Sequence, residues 1–369
     1  MSTDQGFYQG SLAQQYIDYS ISVTVLASLG SQFQNVMIFI DDGDADDNIV
    51  DPPGVGEYLV VENATFADLV KLDLLDQLRE FFANNSLSKV YIVEYDSETS
   101  NYEDIAVQFA KYKELAYFKL CFESAAGAQI ELAELCDAHN FSQCWIGTSD
   151  DNCFDPDSVT SIAHFLNVAG VNPHLEYHKT AANSALCQLG LSLGKLNNSG
   201  FAVGNSLDYK NTNTIGASGV AGANLTATQV NGLKEQFIGY WSTAGFAPFI
   251  VAQFGGRTLK GDICGADWFI AFIEFMCSAQ GIQYLTDPNT NHYRNNDTYQ
   301  GLLSILQNNV NPFVSIQLIS NFKITAPQFS QLADTGDSFI VPNAWVANFN
   351  DTVHKATVQG QLIVVEPTP

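Results

Sequence analysis

The sequence predicts an α/β (α+β) fold: a mixed sheet packed with helices, with strand-forming segments towards both ends. Three observations point there. Between about residues 105 and 200, strand-type and helix-type patterns alternate at the spacing of a parallel sheet layer. Residues 254–285 contain a helical run that is apolar nearly all round, which places it inside a core. Short runs near each terminus alternate apolar with polar residues, the period of a half-buried strand.

Taken in order, residues 1–19 are polar and without periodicity, an N-terminal arm. Ile21, Val23 and Val25 then alternate with Ser22 and Thr24 as a strand, and NVMIFI at 35–40 reads as a strand buried on both faces. DDGDADDNIVDPP follows and is expected to be an exposed acidic loop. Leu69, Leu72, Leu75, Leu78 and Phe82 mark an amphipathic helix ending at Asn84–Asn85, and Val90 to Tyr95 is the next strand. AYFKLCFE, SQCWIGTS and NPHLEYHK read as strands, separated by the helices GAQIELAELCDAHN and VTSIAHFLNVAG, with NSALCQLGLSLGKL as a third helix.

Residues 197–224 are rich in Gly, Asn and Ser, an irregular crossing with a strand pairing around Asp208 to Thr214. Asn224 to Trp241 is expected to be a helix with Leu233, Phe237 and Trp241 on one face, and Gly255–Gly256 to turn a β-hairpin. In the central apolar helix, Trp268, Phe272 and Phe275 are the expected packing residues, with Phe82 from the earlier helix. Asp267 suits an N-cap or first-turn acid there, and Gly281 its C-terminal end. Thr298 to Val310 is a further helix with Leu302, Leu303 and Leu306 inward, and Val314–Ile319 and Ala344–Phe349 are strands. At the end, Ala356, Val358, Leu362 and Val364 alternate with Thr357, Gln359 and Gln361.

The charge balance excludes several roles. Fifteen basic against forty acidic residues leave a formal net charge of −25, so no nucleic-acid partner is expected, since phosphate neutralisation needs a basic face. Anionic membrane is disfavoured for the same reason, and Glu274 interrupts the longest apolar run before it could span a bilayer. The seven cysteines form no CxxC pair and read as reduced core thiols, and the N-terminus has no secretion-signal pattern.

No catalytic, metal or cofactor site emerges. Counting an EF-hand from Asp42 puts Asp47 where glycine is needed and Pro53 where glutamate is needed. GLSLGKL lacks the spacing and the hydroxyl of a phosphate loop. His174 and His178 share one face of a strand about 13 Å apart, too far for one metal, and are expected at the surface or a sheet edge. No nucleophile or paired-carboxylate motif is present.

Three patterns carry a family resemblance. LLDQLREFFANNSLSKVYIVEYD resembles the helix, short loop and strand of contractile-tail sheath proteins, with Asn-Asn where the family has Gly-Gly. GADWFIAFIEFMCSAQGIQYLT is similar to the "DW" helix of a compact sheath-like branch, and VHKATVQGQLIV to its closing strand. LTATQVNGLKEQFIGYWS and GGRTLKGDI stand in the order the family would place them. The likeness covers roughly residues 66–95 and 224–365.

The resemblance implies a discontinuous sheath core domain of residues 20–95 plus 225–350, an inserted α/β domain at 96–224 and a C-terminal strand or arm at 351–369. It also implies a non-enzymatic virion subunit, assembled in the host cytoplasm into homo-hexameric rings stacked around a tail tube protein. Baseplate and tail terminator proteins would be its other partners, and contraction would drive the tube through the host envelope. Strand exchange through Ile21, Val23, Val25, Ala356, Val358, Leu362 and Val364 would link neighbouring subunits, and pairing would remove the liability of free edges. Two other classes compete. A capsid or baseplate component would differ in particle shape, and a soluble α/β enzyme would remain a monomer or dimer that binds a small ligand.

Overall fold

The computed structural model describes residues 31–98, 102–122, 125–178, 185–190, 193, 210–211, 225–243, 250–253, 256–290, 292–293, 295–315, 319–332 and 344–349. Among these, nine strands form one sheet: β1 (Val36–Asp41), β2 (Tyr58–Val61), β3 (Val90–Tyr95), β4 (Phe118–Cys121), β5 (Gln143–Thr148), β6 (His174–Tyr177), β7 (Lys210–Asn211), β8 (Gly239–Thr243) and β9 (Ile250–Gln253). Their order across the sheet is β2-β3-β1-β4-β5-β6-β8-β9-β7. The strands from β3 through β8 in that order run parallel, while β2 and β9 are antiparallel to their neighbours. A separate two-stranded antiparallel sheet joins β10 (Ile319–Ile324) to β11 (Trp345–Phe349).

Helices α1 (Asp42–Asn48), α2 (Phe66–Leu69), α3 (Leu72–Asn84), α4 (Glu103–Tyr112), α5 (Ala126–Asp137), α6 (Ile162–Ala169), α7 (Ala227–Glu235), α8 (Cys264–Leu285) and α9 (Asn296–Ser315) complete the order. Side chains alternate across a strand, so β1 feeds two cores: Val36, Ile38 and Ile40 enter one, Met37 and Phe39 the other. The first core lies under α3, α8 and α9, and the second under α4, α5, α6 and α7. Each such side chain, fully buried, contributes about 1.5–3 kcal/mol before ordering costs.

The expected boundary at 95/96 is not a break in this sheet. Strand β1 pairs with β3 on one side and with β4 on the other, so strands from either side of the boundary share one hydrogen-bonded layer. Both cores likewise draw residues from either side. The helix α4, which the sequence pattern left unassigned, is part of the second core through Ile105 and Phe109.

Several local expectations are corrected. The acidic stretch after β1 is a helix, because the Asp41 carboxylate accepts from the Asp44 N–H at 2.8 Å and Ala45 and Ile49 are buried. The leucine-rich segment splits into α2 and α3 at Val70, which bridges to Ile49. Its inward face is Leu74, Leu78, Phe81 and Phe82, while Leu72 is exposed and Leu75 half-buried. Leu72 sits at φ 51°, a left-handed backbone that costs a non-glycine residue roughly 1 kcal/mol or more.

Further along, Thr226 and Gln229 form a capping box at the start of α7, but the helix stops at Glu235. Phe237 is left-handed at φ 57° and turns the chain into β8, where Trp241 is fully buried. The hairpin pairs β8 with β9, and beyond Gly256 the chain closes instead through an Arg257–Ile263 bridge. Helix α8 begins three residues before Asp267, which is its first-turn acid, and runs past a buried Gly281. Helix α9 continues through Pro312 to Ser315, since Val310 and Phe313 are buried, and this displaces the following strand to 319–324. Strand β6 lies inside the sheet, so His174 and His178 are buried rather than at an edge.

Candidate functional site

The seven expected strand-exchange residues, Ile21, Val23, Val25, Ala356, Val358, Leu362 and Val364, lie outside the described residues. The four expected packing residues all belong to the first core, with Phe272 only partly buried. Trp268 stacks on Phe272 at 5.1 Å between ring centroids, and its indole N–H donates to the Phe33 carbonyl at 3.1 Å. Phe82 packs elsewhere in that core, against Phe66 and Phe81. The hub that sequence reasoning missed is Phe33, whose ring meets Tyr117, Phe141, Trp268, Phe272 and Phe275. It stands alone among polar residues in SQFQN, so no periodicity singles it out.

A parallel sheet of this order binds ligands, when it does, beyond the strand ends where the winding direction reverses, here between β1 and β4. The carboxylates at that end of β1 are already used. Asp41 caps α1, and Asp42 accepts from the Ser97 hydroxyl at 2.9 Å, which holds its pKa below the usual carboxylate value.

A buried polar cluster joins β6 to the start of α8. His174 Nδ1 lies 2.6 Å from the Arg257 carbonyl oxygen, and Nε2 lies 3.2 Å from a Glu176 carboxylate oxygen and 2.9 Å from the Gln188 side-chain amide. Burial resists the charged ring, but hydrogen bonding and charge from Cys264 and Glu176 outweigh it and lift the His174 pKa to about 10. The cluster pins the loop before α8 onto the sheet.

Glu114, His139 and Ser142 have the residue types of a relay triad. His139 Nδ1 is 2.9 Å from Ser142 Oγ, and Nε2 is 3.5 Å from Glu114. The neighbouring amides are committed to the backbone: Ser142 N–H donates to His139 O and Gln143 N–H to Tyr117 O. These bonds hold the turn between α5 and β5. It borders a cavity of about 620 Å³ lined by Asp137, Asp262, Asp267 and Glu274 among others, where burial and then Asp262 push the Asp267 pKa up to about 6. Nearby, Lys119 is fully enclosed, donating to the carbonyls of Lys113 and Ala116, and burial lowers its pKa to about 8.

Among the described residues no cluster of three His, Cys, Asp or Glu side chains has the geometry to hold a metal ion. No described helix is long and apolar enough to cross a membrane.

No family model matches the chain, and no curated protein matches it. Solved structures do. A chain in the cryo-EM structure of the anti-feeding prophage baseplate aligns at TM-score 0.64 with 11% identity, over 93% of this chain and 97% of that one. The sheath tail protein of Listeria innocua aligns at TM-score 0.49 with 8% identity, over 87% and 90% of the two chains. At these identities the likeness is one of fold. The likeness to the prophage baseplate chain runs nearly end to end in both chains and shows a shared fold.

Proposed function

We propose that this chain is the structural subunit of a contractile tail sheath, stacked as hexameric rings around a tail tube and contracting to drive the tube through a host envelope. The observation that carries the reading is the near end-to-end match, in both chains, to a component of a prophage baseplate assembly. The hydrogen bonds of the His174 cluster and of the turn at His139 suit a structural role. Baseplate, tube and terminator proteins are its partners in this reading, and the virion tail its location.

The terminal arms supply the links between subunits in this reading. A two-stranded sheet is marginal by itself. Among the described residues β10 and β11 are its only strands, which leaves room for strands from neighbouring chains along its edges. The test is negative-stain microscopy of the full chain, alone and co-expressed with a tube protein. Tubes or six-fold rings are expected for the full chain, and their loss on removing residues 1–25 or everything after Lys355. A protein that stays monomeric in both settings would defeat the sheath reading. Particles that form only with baseplate partners would move the assignment to the baseplate component that the aligned structure favours.

A further inference from the structure

Two exposed apolar residues near the end of α1 and the start of α3 are held together by backbone bonds. Ile49 bridges Val70, Val50 N–H donates to Leu69 O at 2.9 Å, and Lys71 N–H donates to Asn48 O at 2.8 Å. Asn48 secures the same corner, donating to Asp44 O and accepting from Leu74 N–H. The outcome is a rigid knuckle on which Val50 is 58% and Leu72 63% exposed, with Leu69 half-buried between them.

Leu72 is the telling residue. It is left-handed at φ 51°, where glycine would sit without strain, and its side chain is mostly in water. A residue kept in a strained backbone for packing would be buried. This one is presented outward, which makes it a candidate contact residue.

The surroundings select the partner. Asp46, Asp47, Asp51, Asp68 and Asp73 are all exposed in the segments that build the knuckle. Between residues 42 and 78 there are ten acidic side chains and one lysine, Lys71. A second copy of this chain, at net charge −25, would bring like charge to that rim. We infer that the Val50–Leu69–Leu72 knuckle docks onto a different protein, one that presents an apolar socket ringed by lysine and arginine side chains. An apolar centre within a charged rim is the usual anatomy of such a contact, the centre supplying affinity and the rim on-rate and specificity. This inference stands on the geometry of the monomer and holds whether or not the chain polymerises as a sheath.

The test uses the full-length protein and a designed amphipathic helical peptide of leucine and lysine, with its leucine–glutamate counterpart as control. Titration calorimetry of wild type, Leu72→Gly, Val50→Ser and the double variant is run at low and high salt. Wild type should bind the lysine peptide, more weakly at high salt, and ignore the glutamate peptide. The double variant should lose about tenfold or more in affinity, with each single variant intermediate. Leu72→Gly should melt no lower than wild type, which separates a contact role from a structural one. Equal binding of wild type and double variant, no binding by wild type, or equal binding of both peptides would each overturn the inference. Self-association in sedimentation that the double variant abolishes would make a second copy the occupant and overturn the commitment to a different protein.

Discussion

On one face of the sheet, α8 and α9 bring Trp268, Phe269, Phe272, Phe275 and Phe313 together around Phe33. On the other, α4 to α7 contribute Ile105, Ala128, Leu132, Ala133, Ala163, Leu166 and Leu233. The first face is covered by two long helices of 22 and 20 residues together with the 13-residue α3, the second by helices of 8 to 12. Large rings interlock in few arrangements, so the cluster around Phe33 is held by specific geometry, whereas the helices of the second face contribute mainly alanines and aliphatic side chains and include a close backbone approach. Gly232 marks that closeness, since a Cβ there would overlap the Phe154 carbonyl. The comparison teaches that one mixed sheet carries two kinds of core, and that both draw on residues from either side of position 95/96.

The sharpest way to break that conclusion is to express residues 96–224 alone. The fragment keeps α4, α5 and α6 but lacks β1, the strand that pairs with β4, and every residue of α8 and α9. It should show no cooperative thermal transition. A calorimetric peak of two-state shape would make the second face an independent unit and restore the boundary at 95/96.

Next in size are paired truncations. Trp268→Ala removes a fully buried ring and the donor to Phe33 O, and is expected to cost about 3–5 kcal/mol. Leu132→Ala, equally buried on the other face, should cost about 2–3 kcal/mol, because short helices can settle into the void. Urea midpoints measure both. A larger loss at Leu132 than at Trp268 would invert the ranking of the two faces.

The smallest effect is pH dependence at the cluster between β6 and α8. His174 has a folded pKa of about 10, above its ordinary 6.5, so the native state holds the proton more tightly. Its contribution is therefore complete below about pH 6.5 and is lost as pH rises through about 10. Lys119 acts the other way. Its folded value near 8 lies below the ordinary 10.5, so its burial becomes less costly as pH rises across that range. The wild-type profile mixes both, and the difference between wild type and His174→Gln isolates the first. The gap in melting temperature should narrow from pH 6.5 towards 10. A gap that stays constant would mean that His174 is not charged in the native state.

Most strands were legible in the sequence, because runs such as NVMIFI, VYIVEY and QCWIGT carry unbroken apolar or β-branched patterns. The segment at Leu233, Phe237 and Trp241 was not. A spacing of four is close to one helical turn and is also two strand repeats, so both periods fit the same residues. The structure chooses by burial: Leu233 ends up in a helix under one core and Trp241 in a strand under the other. His174 escaped for a related reason. The sequence shows a polar residue in a strand, and its partners at Arg257 and Gln188 lie on other segments of the chain.

The acidic segment at 42–48 shows the same limit from the opposite side. Four aspartates in seven residues read as solvated loop, and they do stay largely at the surface. Asp41 as a cap and Ala45 and Ile49 as buried anchors are enough to wind them into a helix once β1 is in the sheet. The sequence by itself determined the α/β class, the core character of α8 and the strong net acidity, all set by local composition and period. Only the tertiary structure decided that β1 stands between β3 and β4, that two cores share one sheet, and which polar residues are buried. Those outcomes depend on which distant segments meet, and hydrogen-bond partners far apart in sequence leave no periodic trace in it.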